Sequence, residues 1–363
     1  MTRDEVERAL TGVVDPELHR NIVELDMVRE IRVEGAKVHV QVALTISGCP
    51  MKGRIEQDIR TRLGDLPEVE EVTLDVTVMT QEERQALIEK IKGPKPTSPL
   101  MDGSAPTKIL AVASGKGGVG KSTVTANLAV ALARKGFTVG VLDADVWGFS
   151  IPRALGLTAK PTMIDKTIIP PEAHGVRIMS MGSFVDEDSP VIWRGPLLGR
   201  ALEQFLTDVH WGDLDYLLLD LPPGTGDIAI SLSQLLPHGY FLLVTTPQAA
   251  SVHVASRVAH MAKKTGHRLV GLVENMSYFV CPHCEERTEV FGAGGAEALA
   301  KVMEVPLLGR IPLEPVVRQG GDEGEPVVVK APDSQAGKAF LELADQVAKL
   351  IPVPVAVAGN PGS

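Results

Sequence analysis

Residues 109–136 read ILAVASGKGGVGKSTVTANLAVALARKG, and the fold is decided there. An apolar run of strand length, Ile109 to Ala113, gives way to a glycine-rich bend and then to a helical stretch from Ser122 to Lys135. Gly115-Lys116-Gly117-Gly118-Val119-Gly120-Lys121-Ser122 satisfies G-x-x-x-x-G-K-[ST], in the strand-then-helix setting that gives this spacing its meaning. The glycines let backbone amides turn inward around phosphate oxygens, where side chains would obstruct them. The helix start adds unpaired amides and a favourable dipole. Lys121 offers a point charge to the β- and γ-phosphates, and Ser122 a hydroxyl to magnesium. A glycine-rich turn without a ligand is the bland alternative, and the flanking strand and helix argue against it. Gly115 to Thr123 is therefore expected to hold ATP with Mg2+.

Further apolar strands are expected at Thr138 to Leu142, Tyr216 to Leu219, Tyr240 to Val244, Leu269 to Val273 and Leu307 to Leu308. Helical stretches such as Leu197 to Val209 and Ala249 to Thr265 separate them. Continuous apolar strands joined by helical crossovers define an α/β class, a parallel-sheet P-loop NTPase domain with helices on both faces. Ligands of such sheets gather at the C-terminal strand ends. Asp143 and Asp145 follow the second strand, and Asp220 ends LDYLLLD before Leu221-Pro222-Pro223-Gly224-Thr225-Gly226-Asp227. Asp220 can support magnesium there, as a Walker-B residue does, and the glycines after it let the backbone respond to a γ-phosphate. A strand-end aspartate also serves as a helix cap, but the phosphate loop favours the metal role.

The 363 residues are 44% hydrophobic, 23% charged and only 4% aromatic, so the core must be aliphatic. No run of about eighteen apolar residues is present, which gives no membrane span. The acidic, helical start MTRDEVERAL does not read as a signal peptide. A net charge of −10 argues against nucleic acid as a partner. Three cysteines without an export signal make no disulfide framework, so a cytoplasmic location with thiols available for metal or redox chemistry is expected.

Gly93 to Thr107, GPKPTSPLMDGSAPT, carries four prolines and is expected to be an extended linker. It divides a small α+β domain, residues 1–92, from an ATPase domain, residues 108–351, with a flexible tail at 352–363. In the small domain a helix is expected from Thr2 to Leu10. A hairpin of Val28 to Val33 and Lys37 to Ile46 follows, then helix Met51 to Leu63, strand Val69 to Val78 and helix Gln81 to Ile91. With 13 basic and 19 acidic residues up to Lys92, this domain is not a nucleic-acid clamp either.

Cys281 and Cys284, in CPHC, are spaced to bind one soft metal site through two thiolates. Two fall short of the four that tetrahedral zinc or a [4Fe–4S] cluster takes, and no second C-x-x-C exists in the sequence. A symmetric dimer would bring two pairs together. Zinc shared across a dimer remains open. A thiol–disulfide catalyst is a weaker reading, because EERTEVFGAGG does not continue as a helix whose start would acidify a thiol. His283 reads as a spacer. Cys49, in Ser47-Gly48-Cys49-Pro50, falls at an expected helix start that would stabilise a thiolate, although a free cysteine is as often a small buried hydrophobe.

The loop form KGGVGKST resembles that of the deviant-Walker ATPases, which include septum-positioning, plasmid-partition and iron–sulfur carrier proteins. That resemblance implies that Lys116 reaches the phosphates of a second copy in a homodimer. It further implies that Asp145 helps position the attacking water, that Asp143 and Asp220 support magnesium, and that Asn275 hydrogen-bonds the adenine. DADVWGFSIPRALG, VIWRGP, DLPPGTGD, GLVENMSYFVCPHC and FGAGG together are similar to the Mrp subfamily. The implied function is an iron–sulfur scaffold or carrier ATPase with a labile [4Fe–4S] cluster bridging a dimer, serving apo iron–sulfur proteins alongside assembly factors. VVDPEL, NIVELDMV and LTISGCP resemble the MIP18-like (DUF59) domain, which would have Cys49 handle iron or cluster in transit. A positioning ATPase of the same class would need a membrane-binding C-terminal helix or a basic DNA face, and PVPVAVAGNPGS is neither.

Overall fold

A computed structural model describes residues 1–18, 20–45, 51–92, 98–145, 148, 150–165, 167–184, 195–224, 235–236 and 238–353. The chain divides into two compact units. The first comprises Met1–Pro96 together with Thr162–Pro170 and Asp208–Gly212, and the second the remainder.

The first unit opens with helix Arg3–Leu10, whose Thr2 and Glu5 cap each other reciprocally at its start. Strands β1 (Val28–Glu34) and β2 (Lys37–Leu44) form an antiparallel hairpin turning at Gly35, where φ is +63°. Strand β3 (Glu71–Val78) adds parallel to β2. Val38, Val40 and Val42 alternate into the core, as the period of HVQVAL requires. Ile55, Ile59 and Leu63 lie one turn apart on helix Lys52–Gly64 and are also buried. Helix Gln81–Lys92 completes the Met1–Pro96 segment. A small antiparallel pair, β6 (Thr162–Ile164) with β7 (Thr167–Ile169), buries Ile164 and Ile169 in this same core. No strand was expected there. Cys49 falls outside the described residues, as does the 354–363 part of the expected tail.

The second unit is built on an eight-stranded sheet. Its strands are β4 (Lys108–Ser114), β5 (Val139–Asp143), β8 (Glu172–Ala173), β9 (Val176–Ser180), β10 (Tyr216–Asp220), β11 (Tyr240–Thr245), β12 (Arg268–Glu274) and β15 (Leu307–Arg310). They run in the order β15-β12-β11-β4-β10-β5-β9-β8. All neighbouring pairs are parallel except β8 with β9, so the expected parallel sheet carries one short antiparallel edge. Helix Lys121–Arg134 is buried along most of its length, and helix Gln335–Leu350 packs beside it. The core is aliphatic, as the composition implies. Tyr216 is a buried exception, its hydroxyl donating to the Ile351 carbonyl at 2.8 Å while Phe137 meets its ring edge-on.

The described part of the proline-rich segment is not extended throughout. Pro99–Asp102 forms a single helical turn, because proline is well suited to the first position of a helix. Ser98 is buried there and donates to the Leu206 carbonyl at 2.6 Å.

Candidate functional site

The central strands β4, β10 and β5 end side by side, and the site is assembled at their C-terminal ends. Asp220 pairs in register with Val112 on one side and Asp143 on the other. The chain leaves β4 at Ser114 and turns through the glycines into helix Lys121–Arg134. Gly118 (φ +78°) and Gly120 (φ +80°) occupy the left-handed region that a side chain disfavours. Gly115 has a different constraint: a Cβ there would stand 2.5 Å from the backbone nitrogen of Ala255. Helix Ala249–Lys264 therefore presses directly on the loop.

Lys121 and Asp220 form a buried ion pair, Nζ to Oδ2 at 2.6 Å, with 6% and 0% of their side chains exposed. Ser122 Oγ donates to the same Oδ2 at 2.5 Å, and Thr125 Oγ1 to Oδ1 at 2.7 Å. Thr125 was not singled out by sequence; its place one turn beyond Lys121 is the only signal it carries. Asp143 accepts from the amides of Asp145, Ser150 and Ile151. Burial, and then the neighbouring Asp220 carboxylate, push its carboxyl up to about 7. Two buried carboxylates beside a hydroxyl form a donor set suited to a hard divalent cation, whose charge would relieve that strain. Asp145 is half-buried and accepts from the Gly148 amide at 3.1 Å. Thr225, Gly226 and Asp227 lie outside the described residues.

Asn275 caps the far side of the loop. Its Nδ2 donates to the Val119 carbonyl at 2.9 Å, and its amide to Thr245. It also lines a cavity of about 400 Å³ with Thr123, Pro312, Leu313, Val317 and Arg318. The cavity adjoins the phosphate loop, and its walls combine apolar side chains with the charged Arg153, Glu314, Arg318 and Asp322, a concave site beside the loop where a nucleotide base could lie. Asn275→Ala should leave the buried Val119 carbonyl unpaired. The expected cost is about 1–3 kcal/mol in urea unfolding, with several-fold weaker ATP binding by calorimetry.

From Asn275 the chain runs straight to the cysteines. Ser277 and Leu313 anchor it through bonds from Ser277 N to the Ile311 carbonyl and from Leu313 N to the Tyr278 carbonyl. Strands β13 (Phe279–Val280) and β14 (Arg287–Thr288) then form a short hairpin carrying CPHC at its tip. Arg287 stacks 3.9 Å over the Tyr278 ring and stiffens the base of this hairpin. The amides of His283 and Cys284, with the Cys284 side chain, point at the Cys281 sulfur and lower its pKa. Glu285, at φ +59°, closes the turn by donating to the Cys281 carbonyl. The tip is solvent-accessible, with Cys281 half-buried and Cys284 exposed. Among the described residues no group of three or more His, Cys, Asp or Glu side chains is placed to hold a metal. One chain thus brings two free cysteines to the hairpin tip and no third ligand among its described residues.

Fold and loop together define a P-loop NTPase. The family described as NUBPL iron-transfer P-loop NTPase matches residues 105–348, and an iron–sulfur cluster assembly family matches residues 3–74. An iron-sulfur cluster carrier protein of Mycobacterium leprae is 48% identical over 94% of this chain and 92% of its own length. One of Bacillus subtilis is 44% identical over 86% and 88%. Among solved structures, a nucleotide-binding protein from Archaeoglobus fulgidus in complex with ADP has 38% identity and a TM-score of 0.54, covering 64% of this chain and 91% of its own. The cell division ATPase MinD of Pyrococcus furiosus gives 29% and 0.52, covering 67% and 99%. The chain belongs to the iron–sulfur cluster carrier family of P-loop NTPases.

Proposed function

We propose that this protein is a homodimeric ATPase that holds an iron–sulfur cluster between the CPHC hairpins of two copies and passes it to apoproteins. The observation that carries the reading is the Cys281 turn. It presents two solvent-accessible cysteines, Cys281 with its pKa lowered, on a hairpin that continues directly from Asn275 at the nucleotide loop. Two thiolates per chain, doubled about a two-fold axis, give the four ligands a [4Fe–4S] cargo takes.

In this reading the amides of Gly115 to Thr123 cradle the phosphates and Lys121 neutralises them. Asn275 marks the base side of the site. Ser122, with Asp143 and Asp220 in support, would hold Mg2+, which supplies charge neutralisation on the phosphate oxygens. Asp145 would help orient the attacking water, and Lys116 contributes its charge to the second copy. Hydrolysis is then slow and dimer-dependent. Contacts made at the loop bias residues 275–281, and through them the separation of the cysteine pairs. The protein acts in the cytoplasm; no described helix is long and apolar enough to cross a membrane. The first unit, matched by the assembly family, would help receive or deliver iron, with Cys49 as its thiol.

The test is anaerobic reconstitution with iron and sulfide, followed by metal analysis and transfer to an apo [4Fe–4S] acceptor enzyme. The expected result is one cluster per dimer and recovery of acceptor activity. Tightly held zinc that iron does not replace would overturn the proposal in favour of a zinc-bridged scaffold.

A further inference from the structure

Lys116 has a partner within its own chain. Its Nζ donates to Gln248 Oε1 at 3.0 Å, and both side chains are half-buried. Gln248 immediately precedes helix Ala249–Lys264, the element that presses on Gly115. Its carboxamide is oriented from behind. Ser251 Oγ, buried, donates to the same Oε1 at 3.5 Å and shares a 2.7 Å hydrogen bond with the buried Thr246 Oγ1. Loop and helix are locked together at Gly115, so the distance between Lys116 and Gln248 is set by packing rather than by chance contact of two surface chains.

We infer that Gln248 is a positioning residue for Lys116, parking its ammonium in cis until a second copy offers a phosphate that competes for it. This rests on the reading of Lys116 as a charge delivered across the dimer. An ammonium held by a neutral amide oxygen is restrained yet exchangeable, because a triphosphate attracts it far more strongly than a carboxamide does. A carboxylate at the same position would hold it as an ion pair and yield less readily.

Two substitutions therefore move the system in opposite directions. Gln248→Ala releases Lys116, and the protein concentration giving half-maximal ATP turnover should fall about three- to tenfold, the scale of an ordinary net hydrogen bond. Gln248→Glu tightens the grip, and that concentration should rise by a similar factor. Loss of packing alone would shift both variants the same way. The second readout is the rate at which an acetylating N-hydroxysuccinimide ester modifies Lys116 in dilute protein without nucleotide, measured by mass spectrometry against exposed Lys160. Modification should speed up in Gln248→Ala and slow down in Gln248→Glu. Unchanged modification in both variants overturns the inference, as does a concentration shift of one sign in both. If Lys116→Ala turns over ATP like the parent at every concentration, the reading of Lys116 across the dimer fails instead. The acetylation rates still report separately whether Gln248 holds the amine.

Discussion

Lys121→Ala is expected to abolish detectable ATP binding and also to destabilise the protein without nucleotide by about 3–5 kcal/mol. The second effect follows from burial. Asp220 is fully buried, and Lys121 is the cation paired with it. Removing the ammonium leaves an uncompensated carboxylate beside Asp143, whose own carboxyl already sits at about 7 because of burial and that neighbour. Asp220→Asn should act differently. It removes the like charge, so Asp143 moves back toward the ordinary carboxylate range and stays beside Lys121 as a counter-charge. The buried ammonium still loses its 2.6 Å partner, so the fold without nucleotide should lose stability, but less than in Lys121→Ala, while magnesium-dependent turnover is lost. The two variants are also separated by pH. Because the folded pKa of Asp143 lies above the unfolded value of 3.8, the native state binds more protons in between, and stability falls as pH rises from about 4 to 7. That slope should flatten in Asp220→Asn. Urea midpoints at several pH values, with calorimetric titration of ATP, check all of this. A Lys121→Ala protein as stable as the parent would mean that the pair is not compensating as its geometry implies.

The sequence disclosed the phosphate site well because backbone chemistry constrains it locally. Glycine is required at +78° and +80°, lysine and serine must follow at the helix start, and the preceding strand is apolar on both faces. Asp143 and Asp220 were legible for a related reason: a charge ending an apolar run marks the rim of a parallel sheet. Strands such as Tyr216–Asp220 were placed to within a residue because both faces are covered. What escaped notice depends on contacts distant in sequence. Gln248 meets Lys116 across 132 positions, and the Asn275 bond to Val119 spans 156. The β6–β7 pair was missed because each strand has three residues, too few for a period to show. Pro99–Asp102 is helical within a proline-rich stretch because Pro99 stands at a helix start, where its missing N–H costs no hydrogen bond, and proline density alone does not show that position.

Single substitution at either cysteine should be nearly as damaging as loss of both. If a cluster bridges two copies, each change in sequence removes two of its four ligands, one from each chain. Cys281→Ser or Cys284→Ser should then lower reconstituted iron from about four per dimer to background, measured anaerobically by metal analysis and visible absorption. ATP binding by the same proteins should persist, since the hairpin tip is exposed and the loop at Gly115 to Thr123 is held by Asn275 and helix Ala249–Lys264 rather than by the thiols. Mixed dimers sharpen the test. A parent chain paired with a Cys281→Ser Cys284→Ser chain retains two thiolates, and it should hold no stable cluster. A site completed within one chain would instead leave that mixed dimer half-loaded. Half-loading would therefore overturn the bridging arrangement while leaving the nucleotide site intact, which separates the cargo from the engine that moves it.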